Sequence, residues 1–192
     1  MTYSDILRPA VKRQALVYDF SLVIGGSLLL ALLAQVQVVL PFSPVPITGQ
    51  TLGVLLVGAL LGRWRGTMAV FAYILEGVGG LPVFAGAAAG PAVLVGPTGG
   101  YIMGFLAAAY VTGYLAERGW DRKTWSAFSM MTIGTSIIFI SGVAWLVHLV
   151  PEGQLLNMGV IPFLPGALIK ISLATLLLPA GWKFLGKDSG KE

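Results

Sequence analysis

The sequence predicts an all-α integral membrane protein with six transmembrane helices and both termini in the cytoplasm. Hydrophobic residues make up 56% of the 192-residue chain and charged residues only 10%, whereas about a quarter of a typical soluble domain is charged. Apolar runs are separated by short connections, as in a helical membrane bundle. Every Lys and Arg except Lys170 falls on one side of a six-helix arrangement, which the positive-inside rule associates with the cytoplasm.

Composition also excludes several classes of protein. The pI near 9.5 is compatible with nucleic-acid binding, but the basic residues are scattered between apolar runs, so membrane orientation explains them better. The chain has no Cys, which excludes disulfides, thiolate nucleophiles and Cys-based metal sites. No polar stretch could fold alone, so we expect residues 1–192 to form a single membrane domain.

The first membrane helix is predicted over residues 20–40, after a basic cytoplasmic lead-in at residues 1–18. This apolar run is too long for a signal peptide and has no Ala-x-Ala cleavage pattern. One face of the helix carries small residues, which allow close approach of another helix. Internal packing and docking of a partner protein both remain open for this face, whose members are Gly26, Ser27, Ala31 and Ala34.

The next part of the chain predicts two short helices joined by a basic turn. Three prolines in residues 41–50 end the first helix, because proline cannot continue a helix interior. The second helix then runs from about Thr48 to Gly62 and is roughly 22 Å long, short of the roughly 30 Å hydrocarbon core. A tight turn is expected at residues 63–66, and the third helix at residues 67–77.

Residues 78–100 are rich in glycine and proline but otherwise apolar. A flexible linker would contain more Ser and charge, so this segment predicts irregular backbone that packs against protein or lines a cavity. Residues 96–100 lack the Lys and the spacing of a phosphate-binding loop. Nucleotide binding by this chain is therefore not expected.

Three further helices complete the predicted bundle. We expect the fourth at residues 101–115, the fifth at residues 125–150 and the sixth from about residue 162 to Trp182. A charged connection precedes the fifth helix, a short polar turn at residues 151–159 follows it, and residues 183–192 form a cytoplasmic tail.

Lys170 lies inside the sixth apolar run, where an ionisable residue is costly and marks a candidate functional site. It enters the membrane from the same side as the proline-rich and glycine-rich segments. The sequence therefore predicts a small-molecule pocket open to the outside, with apolar walls and few polar groups. The alternative is that the Lys170 amine extends to the lipid headgroups.

The polar candidates for this pocket come from five predicted segments. They are Thr48, Gln50, Tyr73, Thr98, Tyr101 and Lys170. Glu76 is either a ligand contact or an interfacial residue, whereas helix capping or interhelical hydrogen bonds are expected for Gln35 and Gln37. His148 is the only His, and a single His cannot form a metal cluster.

Four motifs together resemble the BioY family, the biotin-binding S components of energy-coupling factor (ECF) transporters. They are PFSPVPITGQTLGVLLVGALLG, GLPVFAG, GPTGGY and PFLPGALIK. The resemblance implies an S-component-like bundle in a bacterial-type plasma membrane, multi-pass, with a biotin pocket on the extracellular side. It also implies uptake of biotin with a transmembrane T subunit and two ATPases, and no cofactor bound by this chain.

The resemblance adds expectations for individual residues. Pro46, Val83, Phe84 and Tyr101 are expected to form the walls around biotin, and the small-residue face of the first helix resembles the surface that docks on the T subunit. The family commonly has Asp three residues before the Lys of its last motif, where this chain has Ala167. We therefore expect another acceptor, such as Gln50 or Glu76, to hold the ureido group, or weaker binding of that group.

Three alternative functions remain open from the sequence. The chain could be an S component for another small vitamin that carries a carboxylate, or a purely structural subunit. It could also be an intramembrane enzyme, which would need a nucleophile or a pair of carboxylates at matched depth. Glu76 and Asp19 are the acids nearest the membrane interior, and they are predicted at opposite ends of the bundle.

Overall fold

A computed structural model describes residues 2–151 and 153–184. Of the predicted cytoplasmic tail, residues 185–192 lie outside the described residues. Within the described residues, five helical segments are long and apolar enough to cross a membrane. They are Lys12–Gln35, Gln50–Val78, Gly99–Glu117, Thr124–Leu146 and Leu155–Phe184.

Shorter elements connect these helices. In chain order the elements are α1 (Tyr3–Ile6), α2 (Lys12–Gln35), β1 (Gln37–Val38), β2 (Ile47–Thr48), α3 (Gln50–Val78), a 3-10 turn (Ala85–Ala87), α4 (Ala92–Val95), α5 (Gly99–Glu117), α6 (Thr124–Leu146), α7 (Leu155–Gly159), a second 3-10 turn (Ile161–Phe163) and α8 (Leu164–Phe184). The two strands pair antiparallel, with Gln37 opposite Thr48. The prediction of an all-α bundle therefore needs the addition of this small β-ribbon.

Helix α3 is a hairpin of two antiparallel arms that reverse at Gly62. Gly62 has φ 84° and ψ 174°, a conformation that is essentially restricted to glycine. Beyond it the chain folds back, so that a Cβ on Gly66 would lie 2.8 Å from the Cα of Gly58. At the other end of the hairpin, the side chains of Gln50 and Tyr73 share a hydrogen bond. The predicted pair of short helices is present, but the turn is Gly62 itself rather than residues 63–66.

Small residues allow α3, α5 and α6 to pack with their backbones close together. A Cβ on Gly58 would lie 2.6 Å from the carbonyl oxygen of Ala109 on α5. A Cβ on Gly134 of α6 would lie 2.4 Å from a methyl carbon of Leu55. This type of packing is common between membrane helices, where there is no hydrophobic driving force between them.

Helix α2 differs from the prediction at both ends. It begins at Lys12, inside the predicted lead-in, and it ends at Gln35, after which the chain enters the β-ribbon instead of continuing to Leu40. The lead-in is also folded, because α1 packs beneath the bundle with Thr2 and Ser4 buried.

The small-residue face of α2 packs inside the bundle, which corrects its prediction as a docking surface. A Cβ on Gly26 would lie 2.7 Å from the Cβ of Ala69 on the second arm of α3. Ser27 and Ala34 are fully buried, and Ala31 packs against the core. The face formed by Gly26, Ser27, Ala31 and Ala34 is therefore occupied by the chain itself.

Elsewhere the predicted elements agree with the structure within a few residues. Residues 79–98 form turns, the short helix α4 and a 3-10 turn, as expected for irregular backbone. Helix α6 ends at Leu146, four residues before the predicted Val150. The predicted polar turn contains α7.

A cluster of buried groups joins the end of α8 to α1 and to the α5–α6 connection. Trp182 donates a hydrogen bond of 2.6 Å from Nε1 to Oδ2 of Asp121, and its ring lies 4.5 Å from that of Tyr3. The guanidinium of Arg122 stacks on Trp182 at 4.7 Å. Asp121 is fully buried, and its Oδ1 has no hydrogen-bond partner among the described residues. Burial raises the pKa of Asp121 above the usual 3.8.

We expect Asp121→Asn to stabilise the protein at neutral pH. Because its pKa is raised in the folded state, protonated Asp121 is favoured by folding. This effect on the free energy of unfolding is fully present below pH 3.8, and stability is lost as the pH rises and the buried carboxyl must ionise. Asn keeps an acceptor for Trp182 and removes the charge. The gain in the melting temperature in detergent should therefore be smallest near pH 4 and largest at pH 7.

Asp5→Asn is the matched control and should have the opposite effect. Burial opposes ionisation of Asp5, but hydrogen bonds from Thr2 and Arg65 lower its pKa below 3.8 overall. The ionised Asp5 carboxylate therefore contributes to the stability of the fold above pH 3.8, and this contribution is lost on acidification. A loss of stability in Asp121→Asn at pH 7 would contradict the interpretation of the buried carboxylate.

Candidate functional site

A cavity lies at the end of the bundle opposite Gly62. Its volume is about 410 Å³, within the range of about 300–1,000 Å³ that is usual for small-molecule sites. The first arm of α3, α5, α6 and α8 form its sides, together with the loops around Pro46 and Phe84. Among its lining residues are Pro46, Thr48, Gln50, Thr51, Phe84, Thr98, Tyr101, Phe105, Thr135, Ile138, Phe139, Phe163, Ala167 and Lys170.

Lys170 lines this cavity, and its amine is bound within the bundle. Its Nζ donates hydrogen bonds to the carbonyl oxygen of Thr48 and, at 2.9 Å, to Oγ1 of Thr51. Thr48 is the last residue of β2, and Thr51 lies in the first turn of α3. The contact therefore joins α8 to the start of the hairpin and keeps a positive charge beside the cavity.

A chain of hydrogen bonds runs from Thr48 to the loop around Val83. The hydroxyl of Thr48 donates to Oε1 of Gln50 at 3.0 Å, and Nε2 of Gln50 donates to the hydroxyl of Tyr73. Tyr73 in turn donates to the carbonyl oxygen of Val83 at 3.2 Å. The chain orients the Gln50 amide at the cavity wall and holds the loop against the second arm of α3.

Gln35, at the end of α2, holds the same loop from the other side. Its Nε2 donates to the carbonyl oxygen of Phe84 at 3.1 Å, and its Oε1 accepts from the backbone N–H of Ala87 at 3.0 Å. Ala87 has φ 57°, an unfavourable conformation for a residue other than glycine. Gln35 also binds its own helix, since Nε2 donates to the carbonyl oxygen of Ala31 at 3.2 Å. It therefore caps the end of α2, as one of the two expectations has it, and its remaining hydrogen bonds go to a loop and not to another helix.

Two further side chains fix the opposite wall. Tyr101 donates from its hydroxyl to the carbonyl oxygen of Gly159 at 2.7 Å, and its ring packs over Gly142. Ser43, in the loop between the strands, donates to the carbonyl oxygen of Met158 at 2.6 Å. Tyr101 and Ser43 therefore attach the segment around α7 to the rim of the cavity.

The structure brings most of the predicted site residues to one cavity. Those that line it are Pro46, Thr48, Gln50, Phe84, Thr98, Tyr101 and Lys170. Tyr73 lies behind Gln50 and donates a hydrogen bond to the carbonyl oxygen of Val83. Neither Tyr73 nor Val83 lines the cavity. Glu76 accepts a hydrogen bond of 2.8 Å from Ser27 on α2 and also lies away from the cavity. Tyr73, Val83 and Glu76 are thus not among the residues that line the cavity, and their contact with a ligand stays a prediction.

Several lining residues were missed by sequence reasoning. Thr51 follows Gln50 on the first turn of α3, and its position beside the predicted Lys170 could have been found only with the fold in hand. Thr135, Ile138 and Phe139 come from α6, which is apolar on all faces. A helix of this kind shows no periodic pattern that distinguishes the side facing the cavity from the side facing lipid.

The chemistry of the lining is simple. Among the described residues that line the cavity, one is charged, and it is Lys170. Ala167 occupies the same face of α8 one turn earlier. Threonine hydroxyls and the Gln50 amide supply the remaining polar groups. In the described part of the chain no three His, Asp or Glu side chains are close enough to hold a metal ion. Such a site can bind a compact, mainly apolar molecule with one negative charge.

Comparisons with known proteins agree with this chemistry. The model of the BioY family matches residues 8–187. The biotin transporter BioY of Thermotoga maritima is 42% identical over 72% of this chain and 81% of its own length. The one from Rhodobacter capsulatus is 39% identical over 78% of this chain and 88% of its own length. The crystal structure of the S-component for biotin from an ECF-type ABC transporter superposes with a TM-score of 0.80 at 25% identity, and the match covers 91% of this chain and 95% of that one.

We expect Tyr73→Phe to loosen the loop at residues 83–88 without removing the ring that packs on Phe84. Loss of the hydroxyl removes one hydrogen bond to Gln50 and one to Val83, each of which contributes about 1 kcal/mol. Amide hydrogen exchange in this loop, followed by mass spectrometry, should accelerate by about tenfold. Tyr110→Phe, on the outer surface of α5, should leave the loop unchanged. Equal exchange in both variants would show that the hydrogen-bond chain does not hold the loop.

Proposed function

The chain belongs to the BioY family, and on that premise we propose that it captures biotin outside the cell and passes it inward as the S component of an ECF transporter. It is a multi-pass protein of the bacterial inner membrane, as its transporter relatives and its apolar helices indicate. Biotin is the substrate that the names of the relatives state.

The proposed topology has six membrane segments, both termini in the cytoplasm and the cavity open to the outside. The hairpin at Gly62 supports it, because dividing α3 into two arms gives an even number of crossings. Arg63, Arg118, Lys123 and Lys183 lie at the Gly62 end of the bundle, as cytoplasmic residues should. The cavity occupies the opposite end, which is therefore the extracellular one.

The observation that carries the proposal is the single amine in an apolar cavity of suitable size. Biotin is a compact bicycle with a ureido group at one end and a carboxylate on a short chain at the other. Phe84, Tyr101 and Phe163 offer apolar surface for the rings and the chain. Lys170 uses two of its three N–H groups on Thr48 and Thr51, so one donor and the positive charge remain for the carboxylate.

The ureido group needs acceptors for its two N–H groups and a donor for its oxygen. Oε1 of Gln50 accepts only the Thr48 hydroxyl, and a carbonyl oxygen can accept a second hydrogen bond. With Ala167 in the cavity wall, no carboxylate is contributed by the described lining residues. We therefore propose that Gln50 takes the role of acceptor for the ureido group. Glu76, the other acceptor expected from the sequence, does not line the cavity and binds Ser27 instead.

Uphill transport requires a source of energy, for which we propose a transmembrane T subunit and two ATPases. The support is the solved relative, which is itself described as an S-component from an ECF-type ABC transporter. This chain would contribute binding and selectivity, and the partner subunits would contribute ATP hydrolysis.

Lys170→Met tests the proposed function directly. Removal of one member of a buried charged pair costs about 2–5 kcal/mol, so biotin should bind at least about 30-fold more weakly to the variant in detergent. Biotin methyl ester has no negative charge and should bind wild type weakly. The variant should bind biotin and the ester with similar affinity, as measured by isothermal titration calorimetry.

Lys183→Met is the matched control, because it removes an exposed Lys from the other end of the same helix. It should bind biotin like wild type. The proposal fails if wild type does not bind biotin, or if the Lys170 variant keeps the wild-type preference for biotin over its ester.

Ala167→Asp tests whether the missing carboxylate limits affinity. A charged hydrogen bond contributes about 1.5–3 kcal/mol, so the variant should bind biotin about tenfold or more tightly than wild type. Ala167→Val adds bulk without an acceptor and should bind more weakly. Equal affinity of wild type and Ala167→Asp would show that Gln50 and the hydroxyl groups suffice. Tighter binding of a different small carboxylate by wild type would instead favour an S component for another vitamin.

A further inference from the structure

A cluster of arginine and aromatic side chains lies on the surface of the bundle near Gly62, away from the cavity. The guanidinium carbons of Arg63 and Arg118 lie 5.7 Å and 4.2 Å from the centre of the Tyr114 ring. Arg63 is also 5.7 Å from the ring centre of its neighbour Trp64. Both guanidinium groups thus contact one aromatic ring, so an anion beside this ring would be attracted by both.

Glu117 neutralises part of this charge but leaves much of both guanidinium groups available. Its Oε2 lies 3.3 Å from Nε of Arg63, and its Oε1 accepts the backbone N–H of Arg63 at 2.9 Å. The Arg63 side chain is 35% exposed and Arg118 is an exposed residue, so both side chains can be reached from outside the bundle. One acid and two arginines give the cluster a net charge of about +1 at neutral pH.

An exposed aromatic pair continues from the arginines toward the membrane interior. Tyr110 lies one helical turn before Tyr114, on the same face of α5. Its ring meets that of Trp64 edge to face, with the centres 5.7 Å apart. Trp64 and Tyr110 are 64% and 36% exposed, so their rings present apolar surface to the outside of the bundle. Trp and Tyr are enriched at this depth in membrane proteins.

We propose that this cluster binds an anionic phospholipid. The phosphodiester would lie between Arg63 and Arg118, because planar guanidinium groups match the geometry of phosphate oxygens. The glycerol and the first part of an acyl chain would lie along Trp64 and Tyr110. Basic sites between membrane helices on the cytoplasmic side commonly hold such headgroups. The proposal does not depend on which molecule the cavity binds.

Two features distinguish this site from a general attraction to an anionic membrane. The arginines come from two different elements, the second arm of α3 and the end of α5, so a bridging phosphate would join them. The aromatic pair requires the acyl part of the ligand as well as its charge. A free phosphate ester would use the arginines alone.

Native mass spectrometry of the whole protein with added phosphatidylglycerol or phosphatidylcholine tests the proposal. Wild type should retain phosphatidylglycerol preferentially. The variant Arg63→Gln/Arg118→Gln should lose about tenfold or more of this binding. Lys12→Gln/Arg13→Gln removes two exposed charges from another part of the same end and is the matched control. It should bind phosphatidylglycerol like wild type.

Single substitutions separate the lipid site from effects on folding. Arg118 is exposed, and its guanidinium lies over the ring of Tyr114, so Arg118→Gln should keep the wild-type melting temperature and still bind the lipid more weakly. Trp64→Ala should weaken the lipid but not glycerol phosphate. Equal binding of both lipids by wild type, or unchanged binding in the arginine variants, would overturn the proposal. Loss of binding in the control variant to the same extent would also overturn it, as would competition by glycerol phosphate at equal affinity.

Discussion

The structure depends on one constraint: where the chain is not helical at membrane depth, its backbone N–H and C=O groups still need hydrogen-bond partners. Water and lipid cannot supply these partners in a bilayer interior. Side chains supply them at the cavity end of the bundle: Lys170 binds the carbonyl of Thr48, Tyr73 that of Val83, and Tyr101 that of Gly159. The same side chains, or their immediate neighbours, line the cavity. The groups that stabilise the loops and the groups that form the site are therefore largely one set.

This overlap explains why the site contains so few free polar atoms. Gln50 has one acceptor position left, and Lys170 has one donor left. Threonine hydroxyls, such as that of Thr135, already donate to the backbone of their own helix. A ligand with one charge and a small polar head would satisfy what remains, whereas a highly polar ligand would find too few partners.

The sequence predicted the membrane class and the position of most elements because these follow from composition, proline placement and the distribution of charge. It also indicated Lys170, since a lone cation in an apolar run is conspicuous. The turn at Gly62 was placed one residue too late because only the backbone conformation distinguishes Gly62 from Gly66. The sequence could not place Tyr73 and Glu76 relative to the cavity, because it shows the depth of a residue but not the direction of its side chain. The face of α2 that contains Gly26 was equally suited to internal and external packing, and only the fold decides between them.

The reversal at Gly62 leaves the first arm of α3 only about 18 Å long at 1.5 Å per residue. Most of this arm is buried between other helices, with Val54, Val57 and Ala59 almost completely covered. Helix α2 is longer, so the depth that the arm leaves unfilled lies inside the protein. The loops around Pro46 and Phe84 cover this space and line the cavity, which is the tolerated use of non-helical chain at membrane depth. A helix that stops short of the full depth is therefore what leaves room for a ligand within so small a bundle.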